Sequence, residues 1–123
     1  MYAALEGPLV IEPLGRALIP TGLYLEIPYG HEVQLRPRSG LALRHGITLL
    51  NSPATIDSDY RGELRVLLVN LSHEPFTVTH GMRIAQLMAA RLLPLNWLAV
   101  DSPDELSVTD RAEGGFGHTG LGA

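Results

Sequence analysis

Apolar and polar residues alternate along much of this chain with a period of two. Val33 and Leu35 fall between Glu32, Gln34 and Arg36, and Leu23, Leu25 and Ile27 frame Tyr24 and Glu26. Every second side chain of an extended strand faces the same side, so these runs predict half-buried β-strands, with Val33 and Leu35 inward. Further short strands are expected at Leu9 to Ile11, Leu18-Ile19, Ile47 to Leu50, Glu63 to Asn70 and Phe76 to Thr79. The last two read as a pair joined by the turn Ser72-His73-Glu74-Pro75. Glu6-Gly7-Pro8, Pro20-Thr21-Gly22 and Pro28-Tyr29-Gly30 punctuate the runs. Prolines and glycines recur about every eight residues, the spacing of an all-β distorted barrel or jelly roll of short strands.

Two segments break the alternation. Ser39 to His45 reads as a short helix, with Ser39 as N-cap, Leu41, Ala42 and Leu43 as helix formers, and Gly46 just past the end. An arginine beside a helix start can also mark an anion site, so Arg38 and Ser39 read either as that or as a plain cap and strand end. From Ile84 to Leu93 nearly every residue is a strong helix former, and propensity alone favours a helix that Pro94 would stop within about three turns.

The stretch from Asn51 to Glu63 carries the densest chemistry. Asn51, Ser52 and Pro53 are turn formers, and the flanking apolar runs, Ile47 to Leu50 and Glu63 to Asn70, read as the arms of a hairpin. If the returning segment is extended, Asp57 and Asp59 share one face while Ser58 and Tyr60 share the other. Taken alone, these residues suit a solvated turn as well as a site, and Tyr60 suits core packing as well as a ligand contact.

Composition narrows the possibilities. With 123 residues the chain is long enough for one domain burying roughly two thirds of its unfolded surface. An apolar content of 46% against 18% charged residues suggests that some surface is hidden in an oligomer. The net charge of −4 argues against general nucleic-acid binding. All nine basic residues are arginine, as expected from GC-rich codons or a hot habitat, and the lack of lysine excludes phosphate loops of the Walker type and Schiff-base chemistry. Without cysteine there are no thiol nucleophiles, thiolate zinc sites or disulfides. The histidines at 31, 45, 73, 80 and 118 show no metal-ligand spacing. No apolar run reaches the roughly 18 residues of a membrane span, and Glu6 in a non-basic N-terminus gives no sign of a signal peptide. The expectation is a soluble cytoplasmic protein.

Toward the C-terminus the composition turns polar from Asp101 to Arg111, then glycine-rich from Gly114 to Gly122. This divides the chain into a β-domain, residues 1–100, and an arm, residues 101–123. Trp97, near the boundary, reads as a core or interface plug. Extended, the 16 residues from Val100 to Phe116 would span roughly 50 Å, enough to reach a neighbouring subunit. Phe116, set between glycines, does not suit a core position.

Four segments in order, Arg36-Pro37-Arg38-Ser39-Gly40-Leu41-Ala42, the Asp57 hairpin, Gly81-Met82-Arg83-Ile84-Ala85-Gln86-Leu87 and Arg111 to Gly120, resemble the trimeric dUTPase family. Its second to fifth motifs read close to P-R-S-G-L-A, G-x-I-D-x-D-Y-R-G, R-I-A-Q and R-G-x-G-G-F-G-S/H-T/S-G. Four ordered motifs over residues 37–120 are specific where any one alone is weak. The resemblance implies a homotrimer of all-β subunits that hydrolyses dUTP to dUMP and pyrophosphate, with each site shared among chains and the fifth motif arriving from a third. It also implies a strand, not a helix, after Ile84.

Carried over residue by residue, the resemblance makes Asp57 the general base that directs water at the α-phosphorus. Ser39 would meet a phosphate oxygen near the scissile bond, and Gln86 would act beside it. Arg38, Gly40, Arg83, Gln86 and Arg111, with Gly117, His118 and Thr119, would belong to the substrate-binding set. Backbone around Ala54 and Ile56 and the Asn51 amide would read uracil; Tyr60 would pack under the deoxyribose and Phe116 over the base. Mg²⁺ would bind through phosphates and water rather than by direct side-chain ligands.

Three positions depart from the family pattern. Only the end of the first motif, near A-G-x-D-L-x-A, is matched, by Met1-Tyr2-Ala3-Ala4; its aspartate would precede residue 1, implying a truncated first strand and impaired activity. Ala54 stands for a glycine, which would strain the turn by about 1 kcal/mol if φ were positive there. Ala112 also stands for a glycine, in a tail expected to tolerate it. Two other functions fit the same scaffold: a dCTP deaminase-like enzyme and a non-catalytic deoxynucleotide-binding regulator.

Overall fold

The computed structural model describes residues 1–116, which divide into a unit from Met1 to Leu93 and a second beginning at Pro94. The first unit holds eight strands: β1 (Leu9–Ile11), β2 (Arg16–Leu23), β3 (His31–Arg36), β4 (Ile47–Leu49), β5 (Ala54–Ile56), β6 (Leu64–Asn70), β7 (Phe76–Val78) and β8 (Gln86–Arg91). Helix α1 (Ser39–His45) lies between β3 and β4. The strands form three antiparallel sheets ordered β1-β7, β2-β6-β4 and β5-β3-β8. The chain is therefore all-β, as expected, but its sheets stay open rather than closing into a barrel.

Strand β6 is the spine of the core. Leu64, Val66, Leu68 and Asn70 are fully buried and Val69 nearly so, so both faces of its second half are covered. Ile19 of β2 and Ile47 and Leu49 of β4 pack beside it, while Val33 and Leu35 of β3 point inward from another sheet, as their alternation predicts. Ile11, Val78 and Ile84 complete the cluster.

Among the described residues Asn70 is the only polar side chain buried as completely as these. Its Nδ2 donates to the carbonyls of Ile11 (2.9 Å) and Glu74 (2.8 Å), and its Oδ1 accepts from the Ser72 amide (2.9 Å) and hydroxyl (2.8 Å). All its hydrogen-bonding capacity is thus used, which makes the burial tolerable. This knot turns the chain after β6. It corrects one expectation, because β6 and β7 do not pair: β7 runs on to β1, and β6 lies between β2 and β4.

Three further expectations change. Pro20-Thr21-Gly22 does not end a strand; β2 runs through it with a register shift between Pro20 and Leu23. Proline is accommodated there because β2 is an edge strand and the shift falls at its position. The segment Tyr24 to Ile27 forms no strand, although Ile27 is buried. Ser39 is the first residue of α1 rather than its cap: extended Arg38 holds the cap position, without a side-chain bond, and its carbonyl accepts from Leu41 and Ala42.

Gly46 closes α1 with φ +64°, as the sequence predicts. A Cβ there would lie 2.9 Å from the Ser72 amide nitrogen, so no larger residue fits. Residues 86–91 form a strand despite their helical propensity. Six consecutive pairings with β3, anchored by buried Ile84 and Ala85, outweigh preferences of a few tenths of a kcal/mol per residue.

Replacing Asn70 by alanine would leave buried carbonyl and amide groups without partners. We expect Asn70→Ala to lower unfolding free energy by about 2–4 kcal/mol in urea titrations, well beyond the change from Ser72→Ala.

Candidate active site

The hairpin around Asp57 forms with its two arms paired, but its connecting loop leaves their sheet. β4 pairs with β6 (Ile47 with Asn70, Leu49 with Leu68), whereas β5, within the connecting loop, crosses to β3 (Ala54 with Leu35, Ile56 with Val33). The loop therefore bridges two sheets, and Asp57 follows the last paired residue at their junction. The backbone turns immediately, with the Tyr60 amide donating to the Asp57 carbonyl (3.2 Å). Asp57 and Asp59 consequently do not share a face. Asp57 and Tyr60 line an open cleft of about 520 Å³, together with Leu18, Thr55, Ile56, Gly62, Glu63 and Arg65. Asp59 and Ser58 line a different hollow, beside Arg61 and Tyr29. The expected pairing fails because the segment turns where an extended strand was assumed.

Local bonds hold the cleft wall. Arg61 Nη1 donates to the carbonyls of Ser58 (2.8 Å) and Tyr60 (3.0 Å), fixing the turn. The Tyr60 hydroxyl donates to the Glu63 carbonyl (2.9 Å), folding the ring back over Gly62. A Cβ at Gly62 would collide with the Tyr60 ring and hydroxyl, so glycine is required there by the tyrosine. Tyr60 itself is partly exposed.

Glu63 gathers three donors. Its Oε1 accepts from the amides of Gly22 (2.9 Å) and Thr21 (3.2 Å), and its Oε2 from Arg65 Nε (2.9 Å). The Gly22 amide, then the Arg65 guanidinium, hold its carboxyl below the ordinary value of 4.5. The sequence reading missed Glu63. Its partners at 21 and 22 are remote in the chain, and no local spacing connects them; only the Gly62-Glu63 pair after Arg61 hinted at a constrained turn.

Ala54 is buried and sits in β5; it is not among the non-glycine residues with positive φ. The strain anticipated there is absent, because the position is extended and paired with Leu35. Asn51 lies in the exposed turn before β5 and does not line the cleft.

A second cluster forms where α1 begins. Arg38 Nη1 donates to the Arg83 carbonyl (2.8 Å) and Gln86 Nε2 to the Pro37 carbonyl (3.0 Å), so Arg38, Ser39, Gly40, Arg83 and Gln86 come together. This cluster is not beside Asp57. Gln86 pairs with Arg36 at one end of β3, while Ile56 pairs with Val33 three residues away on the opposite flank. With about 3.3 Å per residue and about 4.8 Å between strands, the two α-carbons are about 14 Å apart.

Arg111 belongs to the second unit, where its Nε donates to the Gly114 carbonyl (2.7 Å) and the Gly114 amide returns a bond to the Arg111 carbonyl (2.9 Å). Ala112 within this turn has φ +45°. The family's glycine at this position would be unstrained, so alanine here carries a cost of about 1 kcal/mol rather than being neutral. Phe116 is fully exposed, and so is most of Trp97. Gly117, His118 and Thr119 lie outside the described residues.

Comparison with known proteins decides the family. The dUTPase family model matches residues 4–120. A deoxyuridine 5′-triphosphate nucleotidohydrolase of Roseobacter denitrificans is 58% identical over 115 residues, 94% of this chain and 74% of that protein. The chain belongs to the dUTPase family. Its members are hydrolases, and so is this chain. The fold agrees: a variant dUTPase of Staphylococcus bacteriophage 80alpha, solved with dUpNHpp, superposes with a TM-score of 0.83 over 98% of this chain and 84% of its own, at 23% identity. The dUTPase of Streptococcus mutans gives 0.71 over 79% of each chain at 23% identity. A mutant dUTPase from phage phi11 of S. aureus, described with a structural Mg(II) ion, gives 0.73 over 83% and 81% at 20% identity.

The depressed Glu63 carboxyl sets a pH dependence. Ionised Glu63 contributes stability that is fully present above its unfolded value, near 4.5, and is lost as pH falls through the lower folded value. Thermal melts should therefore show Glu63→Gln less stable than the parent at pH 7, with the difference shrinking below pH of about 4.5.

Proposed function

We propose that this chain hydrolyses dUTP to dUMP and pyrophosphate by attack of water on the α-phosphorus, with Asp57 as the general base. The supporting observation is the position of Asp57: an exposed carboxylate on the lip of an open cleft, beside Tyr60 and two sheet edges. Phosphoryl transfer asks little covalent work of a protein; it needs an aligned nucleophile and neutralised charge. Asp57 makes no side-chain hydrogen bond among the described residues, which leaves its oxygens available to orient water.

Charge neutralisation falls to the second cluster. Arg38, Arg83 and Gln86, with Ser39 and Gly40 at the start of α1, would receive the triphosphate, and Ser39 would meet an oxygen near the scissile bond. About 14 Å separates the α-carbons of Gln86 and Ile56 within one chain. In this reading the phosphate cluster and the Asp57 cleft that act on one substrate come from different copies. A homotrimer with shared sites fits that arrangement. Arg111, Phe116, Gly117, His118 and Thr119 would arrive from another copy, the first and the last two on phosphate and Phe116 over the base. In this reading residues 1–100 are the β-domain and 101–123 the arm that completes a neighbour's site.

Uracil would be read by the extended backbone of β5 around Ala54 and Ile56 with the Asn51 amide. Tyr60 would lie under the deoxyribose and exclude a 2′-hydroxyl. Of the two carboxylates lining the cleft, Glu63 is engaged by three donors, leaving Asp57 alone. That donor set suits Mg²⁺ carried mainly by phosphate oxygens and water, where the ion would spread the negative charge of the leaving pyrophosphate. A free nucleotide substrate fits a cytoplasmic enzyme, and no described helix is long and apolar enough to cross a membrane. The negative net charge speaks against nucleic acid as a partner.

The test is pyrophosphate release from dUTP, dTTP, dCTP and UTP, beside a solution mass. We expect release from dUTP far faster than from the other three and a mass three times the 13.3 kDa of one chain. Asp57→Asn should reduce the rate by about 10²–10⁴-fold while dUTP still binds. Ammonia release from dCTP would instead assign a deaminase, and unchanged turnover in Asp57→Asn would remove the proposed base.

A further inference from the structure

Two bonds of different kinds meet at Glu63. Its carboxylate fastens the β2 bulge, accepting from the Gly22 and Thr21 amides, and Thr21 Oγ1 reinforces that junction by donating to the Leu64 carbonyl (2.6 Å). Its main-chain carbonyl receives the Tyr60 hydroxyl at 2.9 Å. The residue between them, Gly62, has no room for a Cβ because the tyrosine ring lies against it. The ring that walls the cleft is therefore supported at its hydroxyl by a carbonyl whose own position is set by a carboxylate reaching across to another strand.

We propose that Glu63 is a positioning residue for sugar discrimination: its carboxylate, by clamping β2 to the start of β6, fixes the carbonyl that holds the Tyr60 hydroxyl and so sets the plane of the ring against the sugar. This rests on the reading of the Asp57 cleft as the deoxynucleotide site. Tyrosine excludes a 2′-hydroxyl only if its ring cannot retreat. A phenol bonded to a loose turn could swing by an ångström, the scale on which an extra oxygen is admitted or refused. The carboxylate suits this task because two amides and a guanidinium engage both of its oxygens at once, and bonds to a charged acceptor are stronger than neutral ones. Glu63 touches neither the reacting phosphorus nor, in this reading, the base; its effect passes through Tyr60.

The experiment compares Glu63→Ala, Glu63→Gln, Glu63→Asp and Tyr60→Ala with the parent chain. It follows pyrophosphate release from dUTP and from UTP, with melting temperatures on the same samples. The dUTP-over-UTP ratio of kcat/KM should fall by roughly ten- to a hundredfold in Glu63→Ala, mostly through a higher KM for dUTP and a lower KM for UTP. Glu63→Gln keeps an oxygen for the two amides and should recover most of the ratio; Glu63→Asp, one methylene shorter, should recover little. A residue of merely structural importance would lower stability and affect both substrates together, and an unchanged ratio in Glu63→Ala overturns the proposal. Where Glu63→Ala does not fold, the Gln and Asp variants decide, and equal ratios in those two overturn it. A parent chain that releases no pyrophosphate from dUTP removes the functional reading and this inference together. A parent that does so, with Tyr60→Ala equally selective, removes only the inference.

Discussion

Strand β6 is held at both ends by side chains, and the rest of the molecule is arranged on that fixed line. At its far end Asn70, wholly buried, ties the β1 carbonyl of Ile11 and the turn at Ser72 and Glu74. At its near end Glu63 ties the β2 bulge and Arg65. Between them lie Leu64, Val66 and Leu68, which water does not reach. Burial of apolar area supplies the driving force, but it is nearly indifferent to direction; the two polar knots choose the register. Sliding β6 by one residue would carry Asn70 away from its partners and turn its apolar side chains to the wrong face.

The same constraint shapes the candidate site. With β6 fixed against β4, the loop that follows β4 must reach β6 again, and on the way it contributes β5 to the other sheet. Asp57 thus stands where two sheets part, exposed, directly after paired Ile56 and at the start of the turn that leads back to β6. The arginine and glutamine cluster depends on a different junction, that of β3, α1 and β8. The two clusters thus stand on different flanks of the β5-β3-β8 sheet, each held by its own junction. Leu18, Leu87 and Met88, on strands of both three-stranded sheets, remain partly exposed in the chain.

Much of the local structure was legible in the order of residues. Alternation located β3 and its inward Val33 and Leu35, and the turn formers bounded most strands. Gly46 marked the end of α1 because only glycine takes that left-handed position against the Ser72 backbone. The strand from Gln86 was not legible from propensity, which pointed to a helix; only the motif resemblance gave it, since pairing with β3 is a long-range fact. The union of β6 with β2, and of β7 with β1, was hidden for the same reason: adjacency in sequence suggested a hairpin that Asn70 forbids. At the site, the residue types around Asp57 were readable, but their sides were not. A turn at Asp57 sends Asp59 to another surface, and nothing in the I-D-S-D-Y run distinguishes that from an extended segment.

By itself, then, the sequence determined the all-β class, the short helix, the family and the set of polar residues from which a site could be made. These follow from side-chain periodicity, backbone freedom and motif order, all properties of neighbours along the chain. Only the tertiary structure decided that the sheets stay open, that Ala54 is unstrained while Ala112 is not, that Asp57 and the Arg38 cluster stand apart, and that Glu63 supports Tyr60. The open sheets, the extended Ala54 and the clamp of Glu63 on β2 depend on groups tens of residues apart meeting across strands; Ala112 owes its φ to the turn around it.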